Sequence, residues 1–180
     1  MVGRRIQCVR YYTIDYRRWE LHPELVDTGP RHVIGPERDV PTWQFAGFDA
    51  VDYGCEIVTD DNLVFSVTWE TPGEREGILI ALVPMLGSGV RPDADVAIWD
   101  VTDNARPWVG LAGAEITAVN LRYQPWDGRE STYWCPGLSI RTSAGNREVI
   151  LGDHDGGILV PSADNIAVLH PGTPLPDWAR

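Results

Sequence analysis

The run Gly54-Cys-Glu-Ile-Val-Thr-Asp-Asp-Asn-Leu-Val-Phe-Ser-Val-Thr-Trp-Glu70 decides the fold. Two stretches rich in β-branched and aromatic residues, Gly54 to Thr59 and Leu63 to Glu70, flank Asp60-Asp61-Asn62. Branched and aromatic side chains suit a pleated, half-buried surface, and an Asp/Asn cluster tolerates the dihedrals of a tight turn. The run reads as a β-hairpin.

The same pattern extends along the chain. With 18 Gly and 14 Pro, turn signals separate short runs of Val, Ile, Thr, Trp and Tyr throughout. Strands are expected at Ile6 to Tyr16, Ile78 to Val83, Val96 to Val101, Ile116 to Tyr123, Leu138 to Thr142, Glu148 to Leu151, Ile158 to Val160 and Ile166 to His170. Ile78 to Val83 is apolar without interruption, which predicts a strand buried on both faces. Ser143-Ala-Gly-Asn146 reads as a second hairpin loop, and Arg17 to Val26 could begin a helix that Pro23 interrupts. The expectation is one all-β domain, residues 1–180, with little helix. It consists of two packed antiparallel meanders, as a sandwich or a barrel. The Pro-rich stretch 171–180 is expected to lie extended across the surface with Trp178 docked.

An internal echo suggests how the meanders arose. Gly54-Cys-Glu-Ile-Val-Thr59 matches Gly137-Leu-Ser-Ile-Arg-Thr142, and Gly77-Ile-Leu-Ile80 matches Gly157-Ile-Leu-Val160. Trp43-Gln-Phe-Ala-Gly47 echoes Trp108-Val-Gly-Leu-Ala-Gly113. The blocks keep their order, so 43–83 and 108–160 read as two copies of one unit. The second copy carries an insertion, Gln124 to Cys135, expected to be a surface loop.

All 15 basic residues are Arg, so lysine chemistry of the Schiff-base or P-loop kind is excluded. The net charge is −11. Residues 41–105 hold two Arg against twelve acids, while residues 1–40 hold seven Arg against six acids. Nucleic acid and anionic membranes are poor partners for such a chain, because both are bound by neutralising phosphate. A basic protein is a good one. No run of 18 apolar residues occurs, and Met1-Val-Gly-Arg-Arg-Ile-Gln-Cys8 has no apolar stretch after its charges, so neither a spanning helix nor a secretory signal is expected. Three Cys without a CxxC pair point to a reducing compartment, the cytoplasm.

Three groups of residues could carry chemistry. Gly152-Asp-His-Asp-Gly-Gly157 brings two carboxylates and an imidazole together, but strand alternation turns His154 away from Asp153 and Asp155. Asp93-Ala-Asp-Val-Ala-Ile-Trp-Asp-Val-Thr-Asp103 lacks the glycine and closing glutamate of a calcium loop, and reads as an edge strand protected by acids. Arg122, Tyr123, Trp126, Arg129, Tyr133 and Trp134 mix guanidinium and aromatic groups, a combination common at protein contacts.

The stretch Glu56 to Trp69, the Leu138 to Asp153 hairpin and the closing Asp164-Asn-Ile-Ala-Val-Leu169 resemble small uncharacterised actinobacterial proteins of the immunity-protein kind. The resemblance is one of style, with no diagnostic motif, and it transfers no site residue. It implies a cytoplasmic inhibitor of a basic toxin. The expected function is therefore non-catalytic binding of a basic protein, without cofactor or metal. The expected contacts are Asp60, Asp61, Glu70, Glu74, Glu76, Asp93 and Asp95, with Arg122, Trp126, Arg129 and Trp134 as anchors. An exposed edge at 95–101 would also allow two copies to pair. Two other readings are a small-ligand β-barrel with an aromatic and Arg-lined pocket, and a hydrolase or metal enzyme built on Asp153, His154 and Asp155.

Overall fold

A computed structural model describes residues 1–16, 29–33, 40–70, 77–92, 95–126 and 129–180. The described residues form eleven strands: β1 (Ile6–Ile14), β2 (Arg31–Val33), β3 (Phe48–Val51), β4 (Gly54–Thr59), β5 (Val64–Glu70), β6 (Gly77–Ala81), β7 (Val96–Asp100), β8 (Ile116–Trp126), β9 (Arg129–Thr142), β10 (Gly145–Asp155) and β11 (Ile158–Leu169). One sheet has the order β2-β7-β1-β4-β5-β6 and the other β3-β11-β10-β9-β8. Among the described residues neither sheet closes on itself, so the fold is a sandwich and not a closed barrel. Arg17 to Val26 lies outside the described residues.

The quoted hairpin is present. β4 pairs with β5 from Cys55 opposite Val67 to Val58 opposite Val64, and the turn places Asn62 at φ +62°. Asn tolerates that left-handed backbone better than most side chains. Alternation along β1 turns Val9 and Tyr11 inward, where they join Cys55, Ile57, Val67, Trp99, Leu138, Ile140, Val149 and Val168 in the core between the sheets. Arg10 and Tyr12 then face outward, as the period of two requires.

Lateral position departs from expectation in two strands. Ile78 to Val83 does not form a doubly buried strand. β6 is the free edge of its sheet, and only Ile78 is fully buried in it. Nor is β7 an edge. It pairs antiparallel with β1 and, over Ala97 to Trp99, parallel with β2. Arg31 locks β2 in place with a two-pronged contact on the buried Asp15, at 2.7 and 2.8 Å. The open edge at 95–101 that would pair two copies is thus covered by the chain itself at its centre.

The five-stranded sheet forks. β9 pairs with β10 only from Gly137 to Thr142. Beyond that point β9 continues against β8 alone, through Gln124 opposite Trp134, and β10 continues against β11, through Gly152 opposite Pro161. The segment Gln124 to Cys135 is therefore the extension of a hairpin and not an inserted loop. The expected strands at 158–160 and 166–170 are one strand, β11, with Ser162 to Asn165 bulged out of the ladder. Gly54 to Thr59 opens the β4-β5-β6 meander of one sheet, and Gly137 to Thr142 lies in β9, which opens the β9-β10-β11 meander of the other.

The tail ends in a short 3-10 turn, Asp177–Ala179. Leu175, Trp178 and Ala179 cover the outer apolar face formed by Phe48, Ala50, Ile150, Ala167 and Leu169. Arg122 Nε donates to the carbonyl of Ala179 at 3.1 Å, and Gln124 Nε2 donates to that of Trp178 at 3.4 Å.

Candidate functional site

Buried polar groups come first, because an unpaired one is costly and a catalytic one is often buried. The Asp49 carboxylate, on β3 and fully enclosed, accepts from Tyr11 Oη at 3.0 Å and lies 2.8 Å from His170 Nε2. Trp108 Nε1 donates to Tyr11 Oη at 2.7 Å. Burial pushes the Asp49 carboxyl up, while the contacts from His170 and Tyr11 pull it down. Burial also pushes the Tyr11 hydroxyl well up, with Asp49 adding to it. The chain Trp108–Tyr11–Asp49–His170 thus stitches β1 of one sheet to β3 and the end of β11 of the other. Nothing in it faces solvent with a nucleophile. Sequence reasoning missed it, since its members are scattered from residue 11 to residue 170 without a motif.

The second arrangement lies on the outer face of the six-stranded sheet. Cross-strand pairing sets Asp100, Arg10 and Glu56 side by side on β7, β1 and β4. Glu56 is 2% exposed; its Oε1 accepts from Arg10 Nη1 at 2.8 Å, and its Oε2 accepts from Tyr12 Oη at 3.2 Å and from the Met85 N–H at 3.0 Å. A buried carboxylate with three donors is well satisfied. On the β2 side this face opens into a groove of about 670 Å³ lined by Cys8, Arg10, His32, Asp100, Asp103 and Asn104, among others. The turn after β7 is fixed: Asp100 Oδ1 accepts from the Thr102 N–H at 3.1 Å and Thr102 Oγ1 at 2.8 Å, and Asn104 Nδ2 donates to the Asp100 carbonyl at 3.3 Å. Asp100 and Asp103 are exposed on the rim. Burial pushes the Cys8 thiol up, so it is protonated at neutral pH and a poor nucleophile. The acid run at 93–103 was the signal for this rim, hidden by its reading as an edge.

Among the described residues the expected contacts are spread over both ends of one sheet and over the other sheet. Asp60 and Asp61 sit on the β4–β5 turn, where Asp60 Oδ1 accepts from the Arg5 N–H at 3.3 Å and Asp61 Oδ2 from Arg4 Nε at 2.9 Å. The Thr59 hydroxyl, and then Arg4, hold the Asp61 carboxyl below its ordinary value. Glu70 lies at the opposite end of β5, and Asp95 stands before β7, which β4 and β1 separate from β5, where its carbonyl accepts from the Asp15 N–H at 2.9 Å. Arg122 belongs to the other sheet and is spent on Glu148 and Ala179. Trp134 is half-buried against the inter-sheet core. Glu74, Glu76 and Asp93 lie outside the described residues, as do the side chains of Trp126 and Arg129.

Asp153, His154 and Asp155 end β10 before a Gly156-Gly157 turn with φ of +56° and +85°. His154 stacks on Phe45 with ring centres 4.0 Å apart. Among the described residues no three His, Cys, Asp or Glu gather closely enough to hold a metal ion. No helix among them is long and apolar enough to cross a membrane. No protein-family model matches the chain, and no curated protein or solved structure shows significant similarity to it.

Proposed function

We propose that this chain is a non-catalytic binding protein that takes a basic partner protein, in its finer form an inhibitor of the immunity or antitoxin kind acting in the cytoplasm. The supporting observation is the groove beside β7. Its rim presents Asp100 and Asp103, and the guanidinium on its floor, Arg10, is already committed to the buried Glu56. A cationic side chain entering there meets two exposed carboxylates and a neutralised floor. The net charge of −11 speeds the encounter with such a partner, and the fixed Asp100–Asn104 turn keeps the rim in register.

The test is capture from a nuclease-treated lysate, with the protein and its Asp100→Asn/Asp103→Asn variant immobilised side by side. Asn keeps the acceptor that Thr102 needs, so the turn survives. One stoichiometric basic protein, held at low salt and lost both at high salt and from the variant, is the expected result. Equal retention by the variant, retention insensitive to salt, or no captured basic protein overturns the reading.

A further inference from the structure

After β6 the chain crosses the outer face of the six-stranded sheet, from 82 to 92, and Met85 drops into a fully buried position beside Tyr12, Val96 and Ile98. Between the far part of this crossover and strands β5 and β6 lies a second cavity, of about 470 Å³. Its size is that of a small-molecule pocket, and it lies at the end of the sheet away from the acid-rimmed groove. Tyr53, Leu79 and Val90 give it apolar walls, while Glu70 and Arg91 line it with one charge of each sign; the Trp69 ring packs on the inner side of β5, against the inter-sheet core.

The walls are held without a ligand. The Tyr53 N–H donates to the Tyr12 carbonyl at 3.1 Å, and the Tyr53 carbonyl accepts from Thr68 Oγ1 at 2.5 Å. Trp69 Nε1 donates to the Asp52 carbonyl at 3.0 Å, so the donor of the indole is already used. The two charges are not used up. Among the described residues neither Glu70 nor Arg91 takes part in an ion pair, with each other or with a third group. A fixed apolar cavity with an unspent carboxylate and an unspent guanidinium complements a molecule of matching composition.

We infer that the cavity between β5–β6 and the 82–92 crossover binds a small zwitterion with an apolar body, an aromatic α-amino acid being the simplest member of the class. Arg91 takes the carboxylate, Glu70 the ammonium group, and the body lies among Tyr53, Leu79 and Val90. This site is independent of the groove and of any protein partner.

The experiment uses the full chain labelled with nitrogen-15, titrated with L-phenylalanine, phenylacetate and phenethylamine at millimolar concentration. The readout is the backbone amide signal of Leu79, in the cavity wall. L-phenylalanine is expected to shift it, with each half-charged analogue binding about tenfold more weakly. Arg91→Gln should bring L-phenylalanine down to the level of phenethylamine, and Glu70→Gln to that of phenylacetate. Leu79→Trp fills the cavity from the sheet and Val90→Trp from the crossover, and whichever variant keeps the native spectrum elsewhere should lose binding. The inference is overturned if none of the three probes moves the Leu79 signal, if all three bind alike, or if a folded filling variant still binds.

Discussion

Each sheet of this sandwich has its outer face crossed by a strap, and the two straps are anchored by opposite charges. On the six-stranded sheet the strap is the 82–92 crossover, and the anchor is Glu56, which accepts the Met85 N–H. On the five-stranded sheet the strap is the 171–180 tail, and the anchor is Arg122, which donates to the Ala179 carbonyl. The difference lies in what surrounds each anchor. The tail lays down Leu175, Trp178 and Ala179 along a continuous apolar face and reaches the backbone at Gly152, where a Cβ would stand 3.2 Å from the Trp178 ring. The crossover has one deep plug, Met85, over a face that also carries Arg10, Glu56, Ser66 and Thr68. Beyond that plug the crossover is not laid flat on the sheet and leaves the cavity beside β5 and β6. A strap laid along a continuous apolar face stabilises, whereas one held mainly by a single plug leaves room for a ligand.

The contrast can be broken most severely at Gly54, under the Met85 plug. With φ at +138°, an alanine there would set its Cβ 2.4 Å from the Val67 carbonyl and 3.0 Å from Met85 Cε. Gly54→Ala is expected to cost about 3–4 kcal/mol in urea unfolding, through backbone strain and overpacking together. Glu56→Gln comes next. It removes the charge from a cluster of three donors, and because Arg10 is 41% exposed the loss is discounted to about 2 kcal/mol. Hydrogen exchange at the Met85 amide should accelerate in this variant, while exchange at the Ala179 amide stays unchanged.

Trp178→Ala attacks the other strap. Its indole is partly exposed, so about 1–2 kcal/mol is expected, with fast exchange at Ala179 and no change at Met85. Combined with Glu56→Gln the losses should add, since the straps lie on opposite outer faces. Gly152→Ala should lift the tail by the small amount that one methyl demands, about 1 kcal/mol, read by the same urea titration.

The last test is a pH slope, a loss that grows by about 1.4 kcal/mol per pH unit above the ordinary thiol value. Burial pushes the Cys55 thiol up to about 12 from an ordinary value of 9.0. The folded protein therefore keeps a proton that the unfolded chain releases from about pH 9 upward, and stability falls as pH rises from there toward 12. Tyr11, pushed up by burial, acts in the same direction from about pH 10. Unfolding free energies measured between pH 8 and 11 should decline, and Cys55→Ala should flatten the decline by the share of one proton.

Local pattern was legible and lateral position was not. The β4–β5 hairpin and the β1 alternation follow from side-chain period and turn chemistry, which act within a few residues. β6 and β7 were exchanged in their edge and interior roles, because an apolar run reports burial and says nothing about which strand lies beside it. What buries β7 is β2, three residues long, with a partner chosen by the fork of Arg31 on Asp15. The same limit hid the sites. Asp49 and His170 meet across more than a hundred residues, and Glu70 and Arg91 meet at a cavity only because the crossover runs between them. The acidic count predicted the sign of the surface, but not that Asp60 and Asp61 would end up far from Glu70 and Asp95.

The order of the strands has a consequence for the newborn chain. β1 is made first and lies at the centre of its sheet, yet its partners are β4 and β7. β3 waits longer still, since Ala50 pairs with Ala167 at the far end of the chain. β1 and β3 therefore leave the ribosome with unpaired backbone; the six-stranded sheet can be completed only once β7 is made, and the five-stranded sheet only once β11 is. A chain halted after β7 would carry an unmatched β3 and a bare inner face, a species prone to stick to its neighbours, so the yield of native protein should depend on how fast translation delivers the last two hairpins.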